Sequence, residues 1–79
     1  LLARDAHWIA DQQPAFPLSC QARCRHRQPL QECMVTQDDD GILVQFRKPQ
    51  RAITPGQAVV FYLDERCLGG ATIHSVHQD

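Results

Sequence analysis

Leu18-Ser19-Cys20-Gln21-Ala22-Arg23-Cys24-Arg25 alternates with a period of two. Leu18, Cys20, Ala22 and Cys24 fall on one side, and Gln21, Arg23 and Arg25 on the other, as in a strand half-buried against a core. Arg27-Gln28-Pro29 ends it, because proline has no N–H for a sheet ladder. Working outward, a further strand runs from Gln31 to Gln37. Asp40-Gly41 then reads as a type I′ hairpin turn, where φ > 0 is required and Asp-Gly supplies it at little cost. Ile42 to Phe46 returns with Ile42, Val44 and Phe46 on one face, and Pro49 interrupts. Thr54-Pro55-Gly56-Gln57 has proline and glycine at the two central positions of a type II turn. Ala58 to Leu63 is apolar on both faces and reads as a central strand. Asp64-Glu65 turns it into Arg66 to Ile73, where Gly69-Gly70 permits a bulge or sharp bend.

Upstream, a first strand is expected near His7-Trp8-Ile9, and the polar, proline-broken Asp11 to Pro17 reads as a loop. The polar tail, His74 to Asp79, is expected to fray. No stretch carries a helical stripe. Six short strands separated by turns predict an all-β fold, a small closed or nearly closed antiparallel barrel. A single domain is expected, ordered over about residues 5–73 with a tail over 74–79. A chain of 79 residues buries only about 60–65% of its unfolded surface, so stability is marginal without neighbours. It opens on Leu1 with no charged or apolar leader, which gives the expectation of a segment from a longer protein without a targeting signal. No apolar run approaches the roughly 20 residues of a membrane helix, so no membrane partner is expected.

Eight Lys plus Arg against nine Asp plus Glu give a net charge of −1, which by itself points to no nucleic acid. The distribution is uneven. Arg23, Arg25 and Arg27 form one basic group, Arg47, Lys48 and Arg51 a second, and the acids gather at Asp38, Asp39 and Asp40. A neutral chain can therefore carry one basic face, against the plainer reading of a solvated mixture. Four cysteines raise the question of a metal or disulfide framework. On one strand Cys20 and Cys24 would lie about 13 Å apart at ~3.3 Å per residue, too far for a disulfide or a shared zinc. Cys33 and Cys67 are isolated in sequence, so all four read as small buried hydrophobes suited to a reducing compartment. His7-Trp8 reads as core or interface packing, and His74 with His77 makes no metal site.

The stretch Arg51-Ala52-Ile53-Thr54-Pro55-Gly56-Gln57-Ala58-Val59-Val60-Phe61-Tyr62, followed by Cys67-Leu68-Gly69-Gly70, closely resembles the final domain of the tRNA-specific 2-thiouridylase family. His7-Trp8-Ile9, Arg25-His26-Arg27-Gln28 and Cys33 agree in order, so the resemblance covers roughly Asp5 to Ile73. It implies an antiparallel barrel similar to the second domain of translation elongation factors, lying against the anticodon arm of bound tRNA. It also implies a parent enzyme that uses ATP with magnesium to activate C2 of the wobble uridine in Lys, Glu and Gln tRNAs. A cysteine persulfide, loaded by a sulfur-relay protein, delivers the sulfur. The S-G-G-x-D-S loop for ATP and the catalytic cysteines belong to the family's N-terminal domain, and no such loop occurs in this chain. The resemblance therefore implies no catalytic residue and no cofactor here, partnership with the catalytic and central domains of the same parent chain, and a cytoplasmic location.

By the same resemblance, tRNA contacts fall on Arg25 and His26 and on Gln57. This sequence has His26 where the family commonly has tyrosine. Guanidinium forks match phosphate oxygens, and a flat ring can stack on a base. Adjacent strand residues face opposite ways, so Arg25 and His26 both reach RNA only if the strand ends or kinks there. Arginines on a sheet edge also simply discourage aggregation. A type II turn can hold the Gln57 amide towards phosphate and 2′-OH groups, or Gln57 can hydrogen-bond its own loop. Arg23, Arg27, Arg47, Lys48 and Arg51 are candidates for an extended basic face. The functional expectation is a tRNA-contacting domain of an ATP-dependent tRNA sulfurtransferase. Its rivals are a scaffold packed on the catalytic body and a stand-alone RNA-binding barrel.

Overall fold

A computed structural model describes residues 1–9, 14–25 and 27–76. Six strands are present, β1 (Leu2–Trp8), β2 (Leu18–Arg23), β3 (Gln31–Asp38), β4 (Gly41–Phe46), β5 (Ala58–Leu63) and β6 (Arg66–Ser75). They close in the order β1-β4-β3-β2-β5-β6, and every neighbouring pair is antiparallel. The all-β antiparallel barrel expected from the alternation is therefore the observed fold. Closure gives β5 two partners like every other strand, so it is not central in any sense the others are not. Both ends of the barrel reach further than 5–73, because β1 starts at Leu2 and β6 runs to Ser75. The end of the tail, with His77, and part of the expected Asp11–Pro17 loop lie outside the described residues.

The bore is narrow, and the inward side chains are correspondingly small. β1 contributes Ala3, β2 Cys20 and Ala22, β3 Cys33 and Val35, β4 Ile42 and Val44, β5 Val59 and Phe61, and β6 Ala71 and Ile73. Phe61 is the largest fully buried side chain. Trp8 stacks on it with ring centroids 5.5 Å apart and meets Phe16 at 6.1 Å. The Trp8 reading as packing, not chemistry, matches this placement.

The turns differ in detail from their sequence reading. The type II turn is present, with Gly56 at φ 93° and the Gln57 N–H donating to the Thr54 carbonyl at 3.3 Å. The β3–β4 hairpin also exists, but Asp38 pairs with Gly41, so its two loop residues are Asp39 and Asp40. Neither has positive φ. The consecutive positive φ values of a type I′ turn occur instead at Asp64 (50°) and Glu65 (69°), between β5 and β6. This two-residue link adopts the hairpin geometry that matches strand twist, with a glutamate at its second position.

The bulge expected near Gly69-Gly70 lies one residue earlier. Phe61 pairs with Gly69 and Tyr62 with Cys67, which leaves Leu68 as the extra residue. Gly69 has φ 153°, and a Cβ there would collide with the His7 carbonyl oxygen and stand 3.0 Å from the Trp8 Cα. Backbone rather than a flexible side chain blocks the space, so relief requires β1 and β6 to separate. Gly69→Ala is expected to cost more than about 2 kcal/mol in urea denaturation. Gly56→Ala, which meets nothing within 4 Å, should lose only about 1 kcal/mol from its left-handed turn.

Candidate nucleic-acid interface

β2 ends at Arg23, and Cys24 and Arg25 already bend away from the ladder. The strand break required for Arg25 and its neighbour to face the same way is thus where the proline suggests it. His26 itself lies outside the described residues. The Gln28 N–H donates to the Arg25 carbonyl at 3.1 Å, closing a tight turn that carries Arg25 and Arg27 into solvent. Register places a second loop beside it. β2 pairs with β5 at Arg23↔Val60, and β3 pairs with β4 at Cys33↔Phe46. The loops that follow β2 and β4 therefore leave the same end of the barrel.

Between them lies a shallow groove of about 540 Å³, walled by Arg25, Arg27, Lys48 and Arg51 together with Gln28, Pro29, Gln31, Pro49 and Gln50. It has four cations and no carboxylate. The Asp38–Asp40 acids sit at the far end of β3, seven residues from Gln31, or about 23 Å away at ~3.3 Å per residue. A net charge of −1 is thus spread as a basic end and an acidic end.

Two cross-links join the loops. Arg25 Nη2 donates to the Ala52 carbonyl at 3.1 Å, and Ala52 is held at φ 56°. The side chain of Gln28 accepts from the Cys24 N–H at 3.1 Å, and its Nε2 donates to Gln50 Oε1 at 2.5 Å. Gln50 Nε2 in turn donates to the Lys48 carbonyl at 2.8 Å.

The structure does not bring the remaining candidates to this groove. Arg23 points outward from β2 over its β5 neighbour, donating to the Tyr62 hydroxyl at 3.0 Å with its guanidinium carbon 5.1 Å from the ring centre. Arg47 makes a 2.8 Å ion pair with Glu32, both side chains being largely exposed, so the pair contributes about 0.2–1 kcal/mol. Gln57 turns its Oε1 to the Thr54 N–H at 3.3 Å. It hydrogen-bonds its own loop, leaving the amide NH2 without a partner among the described residues. Gln50 had no signal in its own sequence context, since its role depends on two loops 22 residues apart meeting.

The cysteines need one correction. Cys33 is not isolated: it is directly opposite Cys20 across β2 and β3, with the two Sγ atoms 3.8 Å apart in the core and both thiols free. The shared hydrogen bond pushes Cys33 up and Cys20 down, and burial raises Cys33 further while opposing the shift at Cys20. Burial also raises Cys24. Among the described residues no charged side chain is buried beside the pair, so the two thiols have each other and hydrocarbon as neighbours. Among the described residues no group of three or more His, Cys, Asp or Glu side chains could hold a metal.

Residues 1–73 match the family described as the aminomethyltransferase β-barrel domain. The tRNA-specific 2-thiouridylase MnmA of Marinomonas sp. (strain MWYL1) is 52% identical over 75 residues, covering 94% of this chain and 19% of that protein. The enzyme of the same name from Coxiella burnetii (strain RSA 493 / Nine Mile phase I) is 55% identical over 75 residues, covering 94% and 21%. That of Xanthomonas campestris pv. campestris (strain B100) is 53% identical over 74 residues, covering 92% and 20%. The chain belongs to the C-terminal barrel domain of the tRNA-specific 2-thiouridylase family. It spans about a fifth of the length of these thiouridylase relatives.

Cys20 and Cys33 fill space in the core of the barrel. Cys33→Ser would place a hydroxyl where only a thiol and hydrocarbon surround it. It should lower stability by about 1–3 kcal/mol in urea denaturation, whereas Cys67→Ser, at a half-buried position, should change it by less than about 1 kcal/mol.

Proposed function

We propose that this barrel is the tRNA-contacting domain of an ATP-dependent tRNA sulfurtransferase that makes 2-thiouridine at the wobble position of Lys, Glu and Gln tRNAs. The observation that carries the reading is the groove at one end of the barrel, with Arg25, Arg27, Lys48 and Arg51 around it and no carboxylate among its walls. Its chemistry is that of phosphate binding. Arg25 spends one N–H on the Ala52 carbonyl and keeps the others of its five donors for a phosphate. Arg27, Lys48 and Arg51 are exposed and add charge along the same track. His26 adds a ring for stacking beside Arg25, and the free NH2 of Gln57 adds a donor at the neighbouring turn. Such contacts position RNA without reading its sequence. Their contribution to thiolation is therefore geometric, holding the anticodon arm so that the uridine reaches a catalytic pocket in another domain. ATP with magnesium, the sulfur-relay partner and the catalytic cysteines belong to that other domain of a cytoplasmic enzyme.

A second groove, of about 720 Å³, favours an additional scaffold role, because Phe46, Ile53 and Val76 line it. Val76 is 37% exposed. These apolar side chains suit contact with the catalytic or central domain of the parent chain, although Gln45 and Arg47 also line this groove and it shares Lys48, Pro49 and Gln50 with the basic one.

Arg25→Ala and Arg51→Ala in the full-length polypeptide should each weaken tRNA binding about five- to tenfold. Each should also reduce the slope of log affinity against log salt by roughly 0.7–0.9 per lost phosphate contact. Filter binding across a salt series measures both. Unchanged affinity and unchanged 2-thiolation in both variants would overturn the RNA-contact reading and leave the scaffold role.

A further inference from the structure

The four cations of the groove lie on two separate loops and repel one another, with no carboxylate among the walls to hold them together. Each repulsion is weak in a solvent-exposed groove, but every one between the two loops pushes them apart. Besides the Arg25–Ala52 hydrogen bond, what opposes this is a run of uncharged hydrogen bonds. The Cys24 N–H donates to Gln28 Oε1, Gln28 Nε2 donates to Gln50 Oε1, and Gln50 Nε2 donates to the Lys48 carbonyl. The run begins beside Arg25 and ends on Lys48, so it ties the backbone that carries one pair of cations to the backbone that carries the other. Both glutamines are half-buried, which protects the shared bond from water. Each amide uses its oxygen and its NH2 in opposite directions along the run, a pattern that an acceptor-only carboxylate or a donor-only ammonium cannot reproduce at either position.

We infer that Gln28 and Gln50 form an amide clamp that sets the spacing of the two basic loops and so pre-organises the groove for an RNA backbone. This rests on the RNA-binding reading above. Gln28 and Gln50 are positioning residues: they act through Arg25, Arg27, Lys48 and Arg51. A neutral clamp serves here because an acidic residue in either place would lose a donor of the run and cancel part of the charge the loops present.

The test uses the full-length polypeptide with Gln28→Ala, Gln50→Ala and the double variant, beside Arg25→Ala, and unmodified tRNA as the probe. Each single glutamine variant should weaken tRNA binding about three- to tenfold. The double variant should lose no more than the weaker single, because breaking the clamp once removes its effect. The salt slope should stay at the wild-type value, since all four cations remain, while Arg25→Ala flattens it. In the RNA-free protein, hydrogen exchange at the Cys24 amide should accelerate in Gln50→Ala as well as in Gln28→Ala, because Gln28 loses its anchor. Additive losses would make the glutamines direct RNA contacts and overturn the clamp. Cys24 exchange indifferent to Gln50→Ala would overturn it without reference to RNA, as would a fall in melting temperature large enough to account for the lost binding. Wild-type affinity in the glutamine variants with weakened binding in Arg25→Ala would overturn the clamp and leave the RNA-binding reading intact. Wild-type affinity in Arg25→Ala would instead sink that reading and this inference together.

Discussion

The bore of a six-stranded closed barrel is too narrow for most side chains, and the rest of the molecule follows from that limit. Alanine, cysteine and β-branched residues point inward because little else fits around Phe61, and dense interiors tolerate neither voids nor excess volume. Beside the bulge in β6, the positive φ of Gly69 would aim a Cβ at the β1 backbone, which reserves position 69 for glycine. The narrow bore also explains the cysteines. A thiol is the size of a small hydrophobe with a weak donor, and two of them opposite each other satisfy one another across the core. Closure leaves no exposed sheet edge, and the interior has no room for a ligand. Any binding must therefore fall on the outer wall or on the loops at the two ends.

The loops at the two ends differ in kind. Asp39 and Asp40 make a two-residue acidic link at one end, too short to shape a surface. At the other, the segments after β2 and β4 are long enough to stand beyond the barrel and lie against each other. Antiparallel pairing of β3 with both β2 and β4 obliges those two segments to leave from the same end. Topology thus collects four cations from two distant stretches of sequence, and the narrow barrel below them serves as a rigid base.

Much of the fold was legible in the alternation of β2 to β6, where Leu18, Gln31, Ala58 and Arg66 fall on the observed strand starts. β1 was not, because its register shifts between Arg4 and His7, with Asp5 at φ 57°. A bulge inserts a residue and breaks the period of two that periodic reading depends on. Asp40-Gly41 drew the type I′ assignment by its dipeptide, while Asp64-Glu65, which carries no such dipeptide, adopts that geometry. For the site, motif resemblance pointed to Arg25, and clustering pointed to Lys48 and Arg51, all three of which meet at the groove. Arg47 and Lys48 are adjacent in sequence yet diverge, one to Glu32 and the other to the groove. That divergence, like the Cys20–Cys33 contact and the Gln28–Gln50 bond, depends on which strands are neighbours and in what register. No local window contains that information.

If the groove holds tRNA as proposed, the pairing of hydrogen-bonded loops with exposed cations bears on how the domain would assist chemistry carried out in another domain. Binding energy gained equally in the ground state and the transition state tightens substrate binding without speeding the reaction. Phosphate contacts on flexible arms would do no more than that, since they would follow the RNA through many poses. Fixing the arms changes the outcome, because a groove of set width admits the backbone in few orientations and transmits one of them to a distant uridine. A displacement of an ångström at the groove is enlarged along the lever of the anticodon arm. In the proposed role, the uncharged hydrogen bonds that tie the loops together against the repulsion of their cations serve thiolation alongside those cations.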